Sequence, residues 1–165
     1  MQATADQIEA LKQVIRQLAD SSHAEDQQYL ADHLPVAFAK QPAGVQKKAQ
    51  AAHFNHSELQ LLSALGDEVV PYSELAARLP FSQGLMSRYI KRLVETGLVV
   101  KQPIGTNKKS YALAATSLGK QAAAFHADMH ARDDQRLAAA LQTIDAPALA
   151  TTLEVLKQLA IALAD

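Results

Sequence analysis

Two histidines four residues apart, His126 and His130, are the densest metal-binding chemistry in the chain. On a helix that spacing puts both imidazoles on one face, where they can converge on a divalent cation. Asp133 and Asp134 follow about a turn later. A complete site needs a third and fourth ligand. His23, Glu25, His53 and His56 are candidates, but their spacing brings none of them close. The plainer reading is two partly exposed histidines hydrogen-bonded to Asp133 or Asp134. The chain has no cysteine, which removes disulfides, thiolate metal sites and thiol redox sensing. Catalysis finds little support, because the sequence has neither a nucleophile elbow nor a phosphate-cradling glycine loop. Met86 and Met129 read as core residues, not as cofactor ligands.

A second chemistry, recognition of an anionic polymer, is written into Ser82 to Glu95. Ser82 is a good N-cap, and Gly97 suits the turn that ends a helix. Leu85, Met86, Tyr89, Ile90, Leu93 and Val94 make an apolar stripe at helical spacing. The opposite side carries Gln83, Gly84, Ser87, Arg88, Lys91 and Arg92. Gln, Ser and Arg can bond base edges in a major groove, while Lys and Arg can hold phosphates. Gly84 costs a helix roughly 1 kcal/mol against alanine. Close approach of a phosphate to the helix N-terminus would explain it. The plain alternative is a solvated amphipathic helix. Charge distribution argues against that alternative. Between Arg78 and Lys109 seven cations face one anion, a balance of +6 in a chain whose total is −1. A basic module inside an acidic chain is the footprint of a nucleic-acid reader.

The elements around this helix must position it. Asn55 and Glu58 have the spacing of a capping box, followed by Leu59, Leu61, Leu62 and Leu65 and then Gly66. Val69-Val70 is a very short strand candidate. Ser73 to Leu79 is a two-turn helix, and Pro80-Phe81 turns the chain into the basic helix, giving a helix-turn-helix. Leu98 to Gln102 and Ser110 to Ala115 read as strands joined by a loop over 103–109, a wing whose tip carries Lys108 and Lys109. Thr116 is the N-cap of a long helix over about 117–142. Pro147 sits near the start of a last helix whose apolar residues fall on several faces, so that it must be buried. Residues 5–19 carry a narrow stripe of Ile8, Leu11, Ile15 and Leu18 suited to another helix. Helix is expected through most of 4–34, with a weak point at Asp20-Ser21-Ser22. Pro35 could open a further short helix, Pro42-Ala43-Gly44 should break it, and 35–55 is otherwise hard to read. Nothing in the sequence looks like a signal peptide or a membrane span.

This order of elements resembles the MarR family of bacterial transcription regulators. The resemblance is carried by Ser73-Glu74-Leu75-Ala76, Ser82 through Leu93, Glu95-Thr96-Gly97-Leu98-Val99, and Thr116-Ser117-Leu118-Gly119. It implies a mainly α protein, a winged helix-turn-helix whose N- and C-terminal helices interlock into a homodimer. The corresponding division is 1–55 for N-terminal dimerisation helices and linker, 56–116 for the DNA-binding domain, and 117–165 for C-terminal dimerisation helices. Two departures stand out. The family's wing usually pairs an acidic residue with arginines, whereas this wing reads Thr106-Asn107-Lys108-Lys109, and lysine cannot make bidentate contacts. The segment 35–55 is also longer than the family usually has there. The resemblance further implies a small aromatic or anionic effector between the lobes. Some members sense zinc through histidines on the helix that here carries His126 and His130.

The leading expectation is therefore a cytoplasmic homodimeric regulator of double-stranded DNA, a repressor on a pseudo-palindrome, with no cofactor, no enzyme activity and no membrane partner. Gln83, Ser87 and Arg88 are assigned to bases. Ser82, one of Lys91 or Arg92, Lys108 and Lys109 are assigned to phosphates, and Gly84 to close backbone approach. The alternatives are a zinc-responsive regulator using His126 and His130, and a dimeric scaffold whose winged helix meets protein instead of DNA.

Overall fold

The structure, a computed structural model, describes residues 4–104 and 110–162; within the first helix, the side chains of residues 19–24 lie outside that description. Two compact units divide the chain, 1–127 and 128–165.

The first unit begins with a reciprocal cap. Gln7 N–H donates to the Thr4 hydroxyl at 3.3 Å, and Thr4 N–H donates to Gln7 Oε1 at 3.0 Å. Helix α1 then runs Ala5–Ala37 through the expected weak point. Pro35, read from sequence as the opening of a new helix, lies inside the last turn of α1 instead. A proline so near a helix end forfeits few backbone bonds. The turn closes behind it, with Phe38 N–H donating to Pro35 C=O at 3.3 Å. Helix α2, Ala43–Ala52, starts directly after Pro42 and ends at His53. His53 has φ 43° and ψ 62°, a left-handed backbone uncommon outside glycine.

Helix α3, His56–Leu65, opens with the expected capping box: Glu58 N–H donates to Asn55 Oδ1 at 2.9 Å, and Asn55 N–H to Glu58 Oε2 at 3.1 Å. Strand β1, Val69–Pro71, leads into α4, Tyr72–Arg78, and a short turn leads into α5, Gln83–Glu95. Strands β2, Val99–Pro103, and β3, Tyr111–Ala115, complete an antiparallel sheet of order β1-β3-β2, with Leu113 opposite both Val70 and Lys101. The core gathers one side of each element: Leu59, Leu62, Leu75, Met86, Leu93 and Leu113 are wholly buried. Each such side chain contributes roughly 1.5–3 kcal/mol relative to exposure.

Helix α6 runs Ser117–Leu141. Thr116 fixes its start, accepting from Gly119 N–H at 3.1 Å while its hydroxyl donates to Gly97 C=O at 2.7 Å. In the second unit α6 ends and α7 spans Ala146–Ala162. The sequence requires α7 to be buried, yet none of its residues is; Leu153, Leu156 and Ile161 are exposed. A single chain does not supply the apolar cover that this helix composition calls for.

Candidate nucleic-acid interface and histidine cluster

Helix α5 presents the two faces its sequence requires. Met86, Ile90 and Leu93 enter the core, whereas Gln83, Gly84, Ser87, Arg88 and Lys91 are all exposed. Leu85, placed in the apolar stripe by its spacing, is partly exposed at 37% and borders the polar face. Ser82 caps the helix, its hydroxyl accepting from Leu85 N–H at 3.3 Å. That bond leaves its oxygen a further lone pair, so the cap and a phosphate contact are compatible. Gly84 has nothing within 4 Å of the position a Cβ would take. The fold itself therefore makes no steric demand for glycine there.

Lys91 lies 3.8 Å from Glu95, both well exposed, an ion pair of small energetic weight. Arg92 behaves differently. Its Nε stands 3.0 Å from Glu58 Oε1, and its guanidinium donates to the carbonyls of Ala52 and His53. Glu58 is wholly buried. Burial pushes its carboxyl above the ordinary value, opposed by the Asn55 backbone bond and the Arg92 charge. Of the two cations offered from sequence for one phosphate, Arg92 is committed to the α2–α3 junction and Lys91 is the one facing outward. The sequence carried half of this arrangement, the Asn55–Glu58 box. Nothing in the local pattern pointed from Glu58 to Arg92.

At the foot of the wing, Tyr72 and Tyr111 pack with ring centroids 5.4 Å apart, and Lys101 Nζ lies 4.6 Å above the Tyr111 ring. Burial, then the neighbouring Tyr72, raises the Tyr111 phenol above its ordinary pKa. Lys108 and Lys109 lie outside the described residues.

The histidines depart from the plainer sequence reading. His126 is buried, not partly exposed, and its Nδ1 meets Ser63 Oγ at 2.9 Å. Its ring stands edge-on to His56, centroids 4.7 Å apart, and His56 Nδ1 lies 3.2 Å from Asp26 Oδ2. Asp133 pairs with Arg136 at 3.7 Å. His56, His126 and His130 can offer ring nitrogens within 4.8 Å of one another. A third imidazole that spacing could not supply is His56, which meets His126 and so brings α3 against α6. Three imidazoles with a nearby carboxylate are a donor set that fits zinc.

Comparison with known proteins bears on the winged helix. Residues 54–110 match the family model described as MarR family. No curated protein matches the sequence. Among solved structures, the adhesin competence repressor AdcR of Streptococcus pyogenes is similar over 98% of each chain, with 16% identity and a TM-score of 0.64. FabT of Streptococcus pneumoniae, solved in complex with DNA, is similar over 96% of this chain and 98% of its own, at 12% identity and a TM-score of 0.66. The haem sensor PefR of Streptococcus agalactiae, solved with haem, covers 95% of this chain and 93% of its own, at 22% identity and a TM-score of 0.56. Among the described residues no helix is long and apolar enough to cross a membrane. Residues 54–110 thus match the MarR family model, and the chain has the winged-helix fold of these solved structures.

Proposed function

We propose that this chain is a transcription regulator that binds double-stranded DNA as a cytoplasmic homodimer, most simply a repressor, and that it catalyses no reaction. The observation that carries the reading is the outward face of α5, where Gln83, Ser87, Arg88 and Lys91 are exposed together around an unobstructed Gly84. In a dimer, two such helices would enter successive major grooves roughly 34 Å apart. Gln83, Ser87 and Arg88 would read bases, and Ser82 and Lys91 would hold phosphates, with Lys108 and Lys109 adding contacts from the wing. The DNA in the FabT structure supports this reading by likeness of fold.

The test is a retardation assay on the DNA upstream of its own coding region, repeated across salt concentrations. Binding should fall steeply with salt. Arg88→Ala should narrow the gap between specific and random DNA by about 1–3 kcal/mol. Replacing Lys108 and Lys109 with alanine should weaken all DNA alike and lower the salt slope by up to about two ions per subunit. Absence of any salt-dependent DNA binding would favour the protein-scaffold alternative.

The His56–His126–His130 group favours a second reading, that zinc is the effector. His56, His126 and His130 would ligate the ion, with Asp26 as fourth ligand or as the carboxylate orienting His56. When bound, zinc would tie α1, α3 and α6 together. Calorimetric titration of chelator-treated protein should give about one zinc per chain, and His126→Ala should abolish both the binding and any effect of a chelator on DNA affinity. Chelator-insensitive DNA binding by protein that takes up no zinc would remove this reading.

A further inference from the structure

Among the described residues of α5, Leu85 is the one large apolar side chain that is exposed, whereas Met86, Ile90 and Leu93 are buried. Its N–H donates to the Ser82 hydroxyl, which places it in the first turn. The first turn is the part of a recognition helix that reaches base edges. Gln83, Gly84, Ser87 and Arg88 around it are exposed as well. At roughly 100° per residue, Leu85 stands about 60° round the helix from Arg88, on the side away from Ser87. It also lies about 4.5 Å from Arg88 along the axis. Phe81 and Tyr89, four residues to either side, meet edge-on with ring centroids 5.5 Å apart. Leu85 is not covered by that pair and keeps its 37% exposure.

An uncovered leucine among base-reading side chains narrows what can lie opposite it. The floor of the major groove offers hydrogen-bond donors and acceptors at every base pair and one apolar group, the C5-methyl of thymine. Against a guanine or cytosine edge, the leucine would strip water from polar atoms and return no hydrogen bond. Against thymine, both apolar surfaces leave water together. The axial offset from Arg88 is close to the rise of one base pair, about 3.4 Å. Leu85 and Arg88 therefore fall about one base step apart.

We propose that Leu85 is a specificity-determining residue that reads the methyl group of a thymine next to the base bonded by Arg88. The inference rests on the DNA-binding reading above and adds the identity of a base that one side chain selects.

The experiment uses the full chain and a duplex recovered by selection from a random-sequence pool. The duplex is prepared with thymine throughout and again with deoxyuridine at each thymine in turn, and affinities are compared at one salt concentration. Deoxyuridine at one position in each half-site should weaken binding about fourfold, the factor that burying one methyl-sized apolar group gives. Leu85→Ala should bind the thymine and deoxyuridine duplexes alike at that position. Leu85→Met, apolar and of similar volume, should keep the preference. Each ratio compares two DNAs on one protein, so a general loss of folded protein cancels. Wild-type protein indifferent to every thymine methyl overturns the proposal, and so does a preference that persists in Leu85→Ala. A Leu85→Ala protein that binds neither duplex marks the residue as structural and overturns it too. A selection that returns no duplex sinks the regulator reading and this inference with it. A duplex bound tightly but without regard to the methyl sinks the inference alone.

Discussion

Glu58 is a carboxylate wholly removed from water, with one guanidinium and one backbone N–H to answer for it. Desolvation raises its pKa above the ordinary 4.5 despite both partners. The folded state therefore holds this proton more tightly than the unfolded chain. Between the unfolded and folded pKa values the native state binds more protons, so this group's contribution to stability falls as pH rises through that window. Glu58→Gln keeps the shape and a carbonyl acceptor for Asn55 but discards the charge. The variant should lose this descending term from its stability profile as pH rises above the ordinary 4.5, measured by urea denaturation across pH. It should also release Arg92, making the Arg92 Nε–H exchange faster with solvent at neutral pH. A pH profile parallel to wild type would show that Glu58 does not titrate in this range. Residues such as Asn55 and Glu58 were legible in sequence because their bond closes over three positions. Glu58–Arg92 and His56–His126 span 34 and 70 positions and depend on how helices pack. No local pattern encodes such distances.

Among the elements, the start of α6 is packed closely against the chain leading into β2. A Cβ on Gly119 would stand 2.1 Å from the Leu98 carbonyl oxygen, a backbone atom with no freedom to retreat. Gly119→Ala should push the start of α6 off the sheet and cost about 1–3 kcal/mol in chemical denaturation. Gly84→Ala is the contrasting case. Open space surrounds it, so helix propensity should raise stability by up to about 1 kcal/mol while operator binding weakens several-fold. A Gly84→Ala protein with unchanged affinity would remove the argument for close phosphate approach. The winged-helix elements were readable from caps, turns and alternation. Helix α1 was harder, because polar residues 20–22 interrupt its pattern without interrupting its backbone, and Pro35 sits where a helix end tolerates it. The length of α2 escaped because Pro42 can open a helix as readily as it can end one.

For the molecule as a whole, the telling feature is apolar surface. Ile8, Val14 and Leu18 on α1 and Leu153, Val155, Leu156 and Ile161 on α7 are all exposed in one chain. So much uncovered side chain is costly in water and fits a subunit that folds against its copy. Light scattering should return twice the 17.8 kDa chain mass. Leu153→Lys with Leu156→Lys should shift the protein toward monomer and reduce operator affinity by at least tenfold, since one half-site alone would remain engaged. A double variant that stays dimeric would place the contact elsewhere. The apolar composition of α7 was legible in its sequence; the burial expected from it is not reached within one chain, where none of its residues is buried.

The small sheet adds a different consequence. Its outer strands, β1 and β2, each finish on a proline, Pro71 and Pro103, and β2 sets Lys101 along its length. Prolines withhold the amide that a newcomer strand would grip, and lysine resists being sandwiched. However crowded the protein becomes, its β-edges make poor templates for fibre growth, so its self-association is left to helices.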